Sequence, residues 1–260
     1  MMPDLSIIIP TCNRADLLDR CLVKIAENTD CDFEIIVVDG ASADHTAAVL
    51  SHARQYLGDR LRCIIEDQRE GFVRAANKGF RVARGKHLTW LNDDARPLPG
   101  AYTNAIAQLA ASPSDTGLIA LYHRWHSPRN IAFEKSPAQA SPPYQLCHVR
   151  GTLYANFALG RREIFNRLGY FDERFIFYAA DPDLSLKAWN AGFLVIPAES
   201  SFIDHDEHSD ARRSSDAEQG ARDNAKLFAK WDLPPINQKQ NDFDADRPCT
   251  LRGLRGAIAA

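Results

Sequence analysis

Leu5-Ser6-Ile7-Ile8-Ile9-Pro10 is the first regular element of the chain, and its composition decides the fold class. A short apolar, β-branched run is expected of a strand buried on both faces, as in a parallel sheet covered by helices. Working outward, a helix is expected from about Arg14 to Glu27, where Leu17, Leu18, Cys21, Leu22 and Ile25 recur at i, i+3, i+4 spacing. Glu34–Val38 reads as the second strand, Asp44–Tyr56 as a helix, and Leu61–Glu66 as the third strand. A helix over Phe72–Ala83, a strand at His87–Leu91, a helix over Gly100–Ala111 and a strand at Gly117–Tyr122 continue the rhythm. Repeated units of this kind imply an α/β fold with a mostly parallel central sheet and right-handed crossovers.

The rhythm breaks over Trp125–Gln145, which holds four prolines and no period, and reads as a lid or binding loop. An extended stretch with Gly151, a helix after Arg161, and a helix starting at Asp181-Pro182 with Asp181 as its cap follow. Phe193–Pro197 is strand-like. Ser215–Trp231 reads as an amphipathic helix with Ala217, Ala221, Phe228 and Trp231 facing inward, and the last thirty residues as tail. The organisation expected is a half of repeated βα units over 1–123, a second half over 124–210 and a C-terminal helix with tail over 211–260.

Composition narrows the function classes. With 260 residues and 45% hydrophobic content, the chain buries an ordinary core without cross-links. A formal net charge of −3 lacks the basic excess of a nucleic-acid binder. The six cysteines form no CxxC pair, so neither a zinc nor a thioredoxin motif is suggested, and they read as reduced thiols. No secretory signal is expected at the N-terminus, and no apolar stretch approaches the roughly 20 residues of a membrane span.

Ligands of open parallel sheets bind beyond the carboxyl ends of the strands, and here those ends carry Thr11, Asp39, Asp67, Asp93 and Asp94. Such an acidic rim repels a bare diphosphate, but a divalent cation between acids and phosphates reconciles them. Neither GxGxxG nor GxxxxGK[ST] is present to cradle phosphates with backbone amides. Asn92-Asp93-Asp94 directly follows a strand, and two adjacent acids there favour Mn²⁺ or Mg²⁺. The same triplet also reads as a charged turn capping the next helix, with Arg96 as partner. Asp39 either hydrogen-bonds a ribose or base or is simply a turn residue before Gly40. Asp181 and Asp183 open a helix, either as capping residues or with Asp181 as a general base. His205, among Asp204, Asp206 and Glu207, is salt-bridged at a surface or completes a cation site with Asp94. Arg161 and Arg162 begin a helix, where cations oppose the macrodipole; they are surface arginines or binders of an anionic ligand.

Four segments in order resemble glycosyltransferase family 2 enzymes of GT-A fold, over roughly residues 4–210. They are Ser6-Ile7-Ile8-Ile9-Pro10-Thr11-Cys12-Asn13-Arg14 and Val37-Val38-Asp39-Gly40-Ala41-Ser42-Ala43-Asp44-His45-Thr46. The third runs from Gly71-Phe72 through Asn77, Gly79, Ala83 and Gly85 to Leu91-Asn92-Asp93-Asp94. The fourth is Asp181-Pro182-Asp183-Leu184-Ser185-Leu186-Lys187 with Ala191-Gly192-Phe193. The resemblance implies a Rossmann-like nucleotide-binding half fused to an acceptor-binding half, and a metal-dependent, inverting transfer of one sugar. The donor is a nucleotide-diphosphate sugar, and the acceptor a growing glycan or lipid-linked saccharide. On this basis Pro10, Thr11, Asn13, Arg14, Asp39, Asp67, Gly71, Asn77 and Asp93 are donor-binding candidates. Asp94 and His205 are metal ligands for Mn²⁺ or Mg²⁺, Asp181 is the catalytic base, and Gly151, Arg161 and Asp183 face the acceptor. The expected place is the cytoplasm, with peripheral contact at the inner face of the membrane through the acceptor.

Two departures stand out. Ala180 replaces the family's usual Glu before the base, and Arg69 stands where Asn is common. The QxxRW motif of processive synthases is absent, which favours single-sugar addition. Two rival readings stay open: a nucleotidyltransferase making sugar nucleotides, although Thr11-Cys12-Asn13-Arg14 has no glycine, and a catalytically silent sugar-nucleotide-binding module, which Ala180 motivates.

Overall fold

The computed structural model describes residues 2–124, 134–135, 140, 143–205 and 217–233. The strands β1 (Leu5–Thr11), β2 (Phe33–Asp39), β3 (Leu61–Ile65) and β4 (His87–Trp90) pair in parallel in the order β3-β2-β1-β4. Beyond β4 lie β11 (Ala158–Arg161), β6 (Thr116–Arg124), β12 (Leu194–His205) and the three-residue β5 (Ala95–Pro97). β11 runs antiparallel to both β4 and β6, while β12 is parallel to β6. One sheet thus takes strands from both sides of residue 123. The short strands β7 (Glu134–Lys135) and β8 (Tyr144–Gln145) and the hairpin of β9 (Cys147–Val149) with β10 (Thr152–Tyr154) lie off its main path.

Every residue of β1 and β2 is buried, as their apolar runs require. Alternate side chains enter opposite layers. Ile7, Ile9, Ile35 and Val37 meet α1 (Ala15–Asn28), α2 (Thr46–Leu57) and α4 (Ala101–Ala111). Ile8, Ile36, Val38 and Trp90 share the other layer with α3 (Phe72–Val82), α5 (Arg162–Leu168), α6 (Ala180–Asn190) and α7 (Ala217–Lys230). A Cβ on Gly79 would come within 2.5 Å of Ile8 Cγ2, so glycine is what lets α3 lie close to β1.

Several expectations are corrected. The helix expected to begin at Asp181 starts at Ala180; its N-cap is Ala179 at φ 64°, and no side chain caps it. Of the residues expected to face inward along α7, Phe228 and Trp231 pack against the core, but Ala221 is exposed, and the buried positions are Gly220, Asp223 and Leu227. Strand β12 extends well past the expected Phe193–Pro197, and β5 and β11 had no counterpart in the sequence reading. Most of the Trp125–Gln145 stretch, the start of the last helix at Ser215, and the tail beyond 233 lie outside the described residues.

Candidate active site

The loops after β1, β2 and β4 meet at one edge of the sheet. Thr11, the last residue of β1, is in register with Asp39 on β2, and its Oγ1 donates to Asp93 Oδ2 at 2.8 Å. Arg14 sits just before α1 and returns to the same point. Its Nη1 donates to Asp93 Oδ1 at 2.8 Å and Asp94 Oδ2 at 2.9 Å, with all three side chains buried. One guanidinium therefore neutralises two adjacent carboxylates that would otherwise repel each other in a poorly solvated place. Arg96, offered by the sequence as a partner for that pair, bonds Asp204 at 3.0 Å.

A second set of bonds laces the neighbouring loops. Asp39 Oδ1 accepts from the Ser42 hydroxyl at 2.5 Å and from its backbone N–H at 3.1 Å. Ser42 Oγ accepts from Asn13 N–H at 2.8 Å, and Asn13 Oδ1 from Ala43 N–H at 2.7 Å. Asn13 and Ala41 both hold φ 54°, a left-handed conformation that Asn tolerates better than Ala. Pro10, Thr11, Asn13, Arg14, Asp39, Asp93 and Asp94 are thus brought to one place.

His205 joins them through a strand that the sequence concealed. After the turn at Asn92–Asp94, β5 pairs antiparallel with β12, and His205 lies opposite Ala95. This register sets His205 Nε2 3.2 Å from Asp94 Oδ1 and 3.4 Å from Asn92 Nδ2. The ring is held edge-on by Phe157, and its Nδ1 is buried without a hydrogen-bond partner.

Asp181 reaches the same edge from the other half. Strand β12 is parallel to β6, and both share the direction of β4, because β11 is antiparallel to β4 and to β6. Helix α6 leads into the start of β12, so its N-terminal turn lies at the carboxyl edge where Asp93 and Asp94 sit. The residue is half-buried, and its Oδ1 is sealed from solvent with no hydrogen-bond partner. Burial alone pushes its carboxyl well above the ordinary aspartate range.

The other candidates are placed differently. At the tip of β3 it is Glu66 that turns inward, bonded by Lys78 at 2.7 Å, while Asp67 is exposed. Gly71, at φ 97°, leaves room for Ile176, whose carbonyl would lie 2.9 Å from an added Cβ. The Asn77 amide donates to Phe171 O and Glu173 Oε1 and accepts from Phe171 N–H, which directs it into the 171–173 turn. Arg161 pairs with His87, at the opposite edge of the sheet from Asp94, and donates to the carbonyls of Thr116 and Leu109. Arg150 and Gly151, at φ 51° and 73°, make the β9–β10 turn, with the Arg150 guanidinium over the Phe228 ring. Asp183 points into α7, where its Oδ1 accepts from Trp231 Nε1 at 2.8 Å and Lys230 Nζ at 2.6 Å. The sequence reading missed Ser42, Asn92 and Glu66. For Ser42, its place in the Asp39–Thr46 segment was the available signal.

The fold and site thus define a mostly parallel α/β sheet with a strand-tip acid pair and a further acid on the helix that precedes β12. The sequence model described as Glycosyl transferase family 2 matches residues 6–169, and the chain belongs to that family. A "PGL/p-HBAD biosynthesis glycosyltransferase" of Mycobacterium bovis (strain BCG / Pasteur 1173P2) is 42% identical over 92 residues, 35% of this chain and 36% of that protein. A "GalNAc(5)-diNAcBac-PP-undecaprenol beta-1,3-glucosyltransferase" of Campylobacter jejuni is 36% identical over 101 residues, 38% of this chain and 32% of that protein. The matches thus span about a third of these curated relatives. Among solved structures, the mannosyltransferase PcManGT from Pyrobaculum calidifontis, in complex with GDP-Man and Mn²⁺, superposes with a TM-score of 0.68 at 22% identity. That superposition covers 100% of this chain and 74% of the other. S. aureus TarS 1-349 in complex with UDP-GlcNAc gives a TM-score of 0.66 at 18% identity, covering 92% and 69%. The fold is GT-A.

Proposed function

We propose that the protein is a metal-dependent, inverting glycosyltransferase that moves one sugar from a nucleotide-diphosphate sugar to a hydroxyl of a glycan or lipid-linked saccharide. The observation that carries the reading is the separation of roles among the acids at one sheet edge. Asp93 and Asp94 are both ion-paired to Arg14, whereas Asp181 is desolvated and without a charged neighbour acting on it. Carboxylates whose environments push their proton affinities apart are suited to different tasks.

Asp39 and Thr11 line the donor side, where the nucleotide is bound and oriented. Asp94 and His205 offer a carboxylate oxygen and an imidazole nitrogen to Mn²⁺ or Mg²⁺. These two side chains would hold the cation from the protein side, and a hard divalent ion bound by so few protein ligands would leave positions for substrate oxygens. A cation there supplies charge neutralisation for the departing diphosphate. Asp181 takes the proton of the acceptor hydroxyl as its oxygen bonds to the anomeric carbon and the bond to the diphosphate oxygen breaks, with inversion at that carbon. A carboxylate of raised proton affinity is a better base for this step. A lipid-linked acceptor would be met peripherally, at the cytoplasmic face of the membrane; among the described residues no helix is long and apolar enough to cross one.

A panel of nucleoside diphosphates and nucleotide-sugars, each with and without Mn²⁺, tests the reading by thermal shift, since ligand binding raises apparent stability. Metal-dependent stabilisation by one nucleotide class, with release of that nucleoside diphosphate on turnover, is expected. A folded sample indifferent to every combination sinks the proposal, and pyrophosphate release from a nucleoside triphosphate would favour a nucleotidyltransferase instead.

A further inference from the structure

We infer that Asp223, on α7, is a positioning residue for Asp181: its carboxylate gathers the backbone of residues 176–178 and so fixes the segment that delivers the base. The inference rests on the role proposed above for Asp181, and it concerns a helix outside the residues 6–169 that the family model matches.

Asp223 is fully buried, yet it is not a core residue in the ordinary sense. Its Oδ2 accepts from three consecutive backbone N–H groups, Ile176 at 3.1 Å, Phe177 at 3.0 Å and Tyr178 at 3.1 Å. Its Oδ1 accepts from Gln219 Nε2 at 2.8 Å, with Lys226 Nζ at 3.4 Å. Burial pushes the carboxyl up, but these N–H bonds outweigh it and leave it below its ordinary range, so it is held as an anion. Three convergent amides on one charged oxygen form a nest, a strong and geometrically exacting arrangement.

The strap so held is pressed from its other side by α3. Ile176 O accepts from Val73 N–H at 3.1 Å, and Gly71 is the residue whose missing side chain admits it. Ala179, left-handed at φ 64°, follows Tyr178 at once and turns the chain into α6, two residues before Asp181. Beyond Asp181 the same helix α7 grips again. Lys230 joins Asp183 at 2.6 Å and Asp172 at 2.8 Å, and Trp231 donates to Asp183. Asp181 makes no bond through Oδ1 and cannot orient itself; its direction is set by the anchors on either side.

The test is a carboxyl ¹³C titration of aspartate-labelled full-length protein, with Asp181→Asn used to assign the Asp181 resonance. In Asp223→Asn the Asp181 titration is expected to move down towards the ordinary carboxylate range, as water enters beside a loosened strap. With the donor and acceptor pair found active, kcat should fall roughly 10²-fold, the scale of a misplacement of about 1 Å. The donor KM and the nucleotide-plus-Mn²⁺ thermal shift should hold. Lys226→Met, a milder change at a half-exposed side chain that also bonds Arg174 O, should move the Asp181 titration the same way, and it serves if Asp223→Asn does not fold. An Asp181 resonance titrating as in the wild type, in whichever variant folds, overturns the positioning role. Failure of the wild type to transfer any sugar would strike the proposed activity instead, because the titration needs no substrate.

Discussion

Replacing Asp181 with asparagine should make the protein more stable near neutral pH while abolishing sugar transfer. The magnitude follows from the carboxyl's surroundings. Oδ1 is buried without a partner, and an asparagine amide there would be equally unpaired, so what the substitution relieves is the additional cost of burying the charged form, about 1–3 kcal/mol. Burial raises the folded-state proton affinity of Asp181, whereas in the unfolded chain it titrates near about 3.9. Between those two pH values the unfolded state has released its proton and the folded state has not, so stability falls as pH rises through that window. Below it both states are protonated, and asparagine resembles the neutral acid. Relief of about 1–3 kcal/mol corresponds to a rise in Tm of roughly 2–12 °C for a chain of this size. The assay is differential scanning calorimetry of wild type and Asp181→Asn at pH 8 and at pH 3.5, alongside transfer and nucleotide binding. A variant no more stable at pH 8, or one whose advantage persists undiminished at pH 3.5, would refute the desolvated-base argument.

Three further outcomes are expected. Asp94→Ala should lower transfer by ~10²–10³, about 3–4 kcal/mol, and remove the Mn²⁺-dependent part of the nucleotide thermal shift; an intact shift would move the cation elsewhere. The protein should still fold, because Arg14 keeps Asp93. Asp183→Ala breaks a buried pairing with Lys230 and Trp231 and should cost about 3 kcal/mol in urea unfolding, a value near zero counting against α7 as a clamp. His148, which burial pulls down to about 4, should make wild-type stability decline as pH falls from about 6.5 to about 4, by about 3 kcal/mol at most. His148→Gln should flatten that window, and an unchanged slope would show that the imidazole is not the titrating group.

The parts of this fold that the sequence made legible are those where one local pattern settles the structure. The Leu5–Pro10 run could only be a strand buried on both faces, and the helical period over Leu17, Leu18, Cys21, Leu22 and Ile25 matches the buried face of α1. What stayed hidden depends on pairing at a distance. Ala95–Pro97 is three residues long and contains a proline, so nothing local marks it as β5; only its pairing with β12 makes it a strand. Glu199-Ser200-Ser201 lies across a register shift in β12, and that polar interruption ended the apparent strand at Pro197. The inward face of α7 was read only in part, with Phe228 and Trp231 placed correctly, because its central member is a buried aspartate and hydrophobic periodicity has no means of placing a charge inside. Asp181-Pro182 had the chemistry of a helix start, but the N-cap position falls on Ala179 in a left-handed conformation with no side-chain cap, for which alanine gives no signal.

The two halves of the site consequently differ in what they depend on. The donor side follows from topology: parallel strands put Thr11, Asp39 and Asp93 at their tips, and short bonds between successive loops hold them there. The side proposed to carry the base has no such guarantee, because α6 begins after a long irregular approach and no side chain caps its first turn. Its geometry is borrowed from α7 and from Gly71, through contacts spanning 45 to 48 residues for Tyr178–Asp223 and Asp183–Trp231. If Asp181 and the strand-tip residues have the roles proposed, variation in the last helix would retune or silence transfer while the proposed nucleotide pocket stays intact. Such divergence would preserve the strand-tip motifs by which the family is recognised.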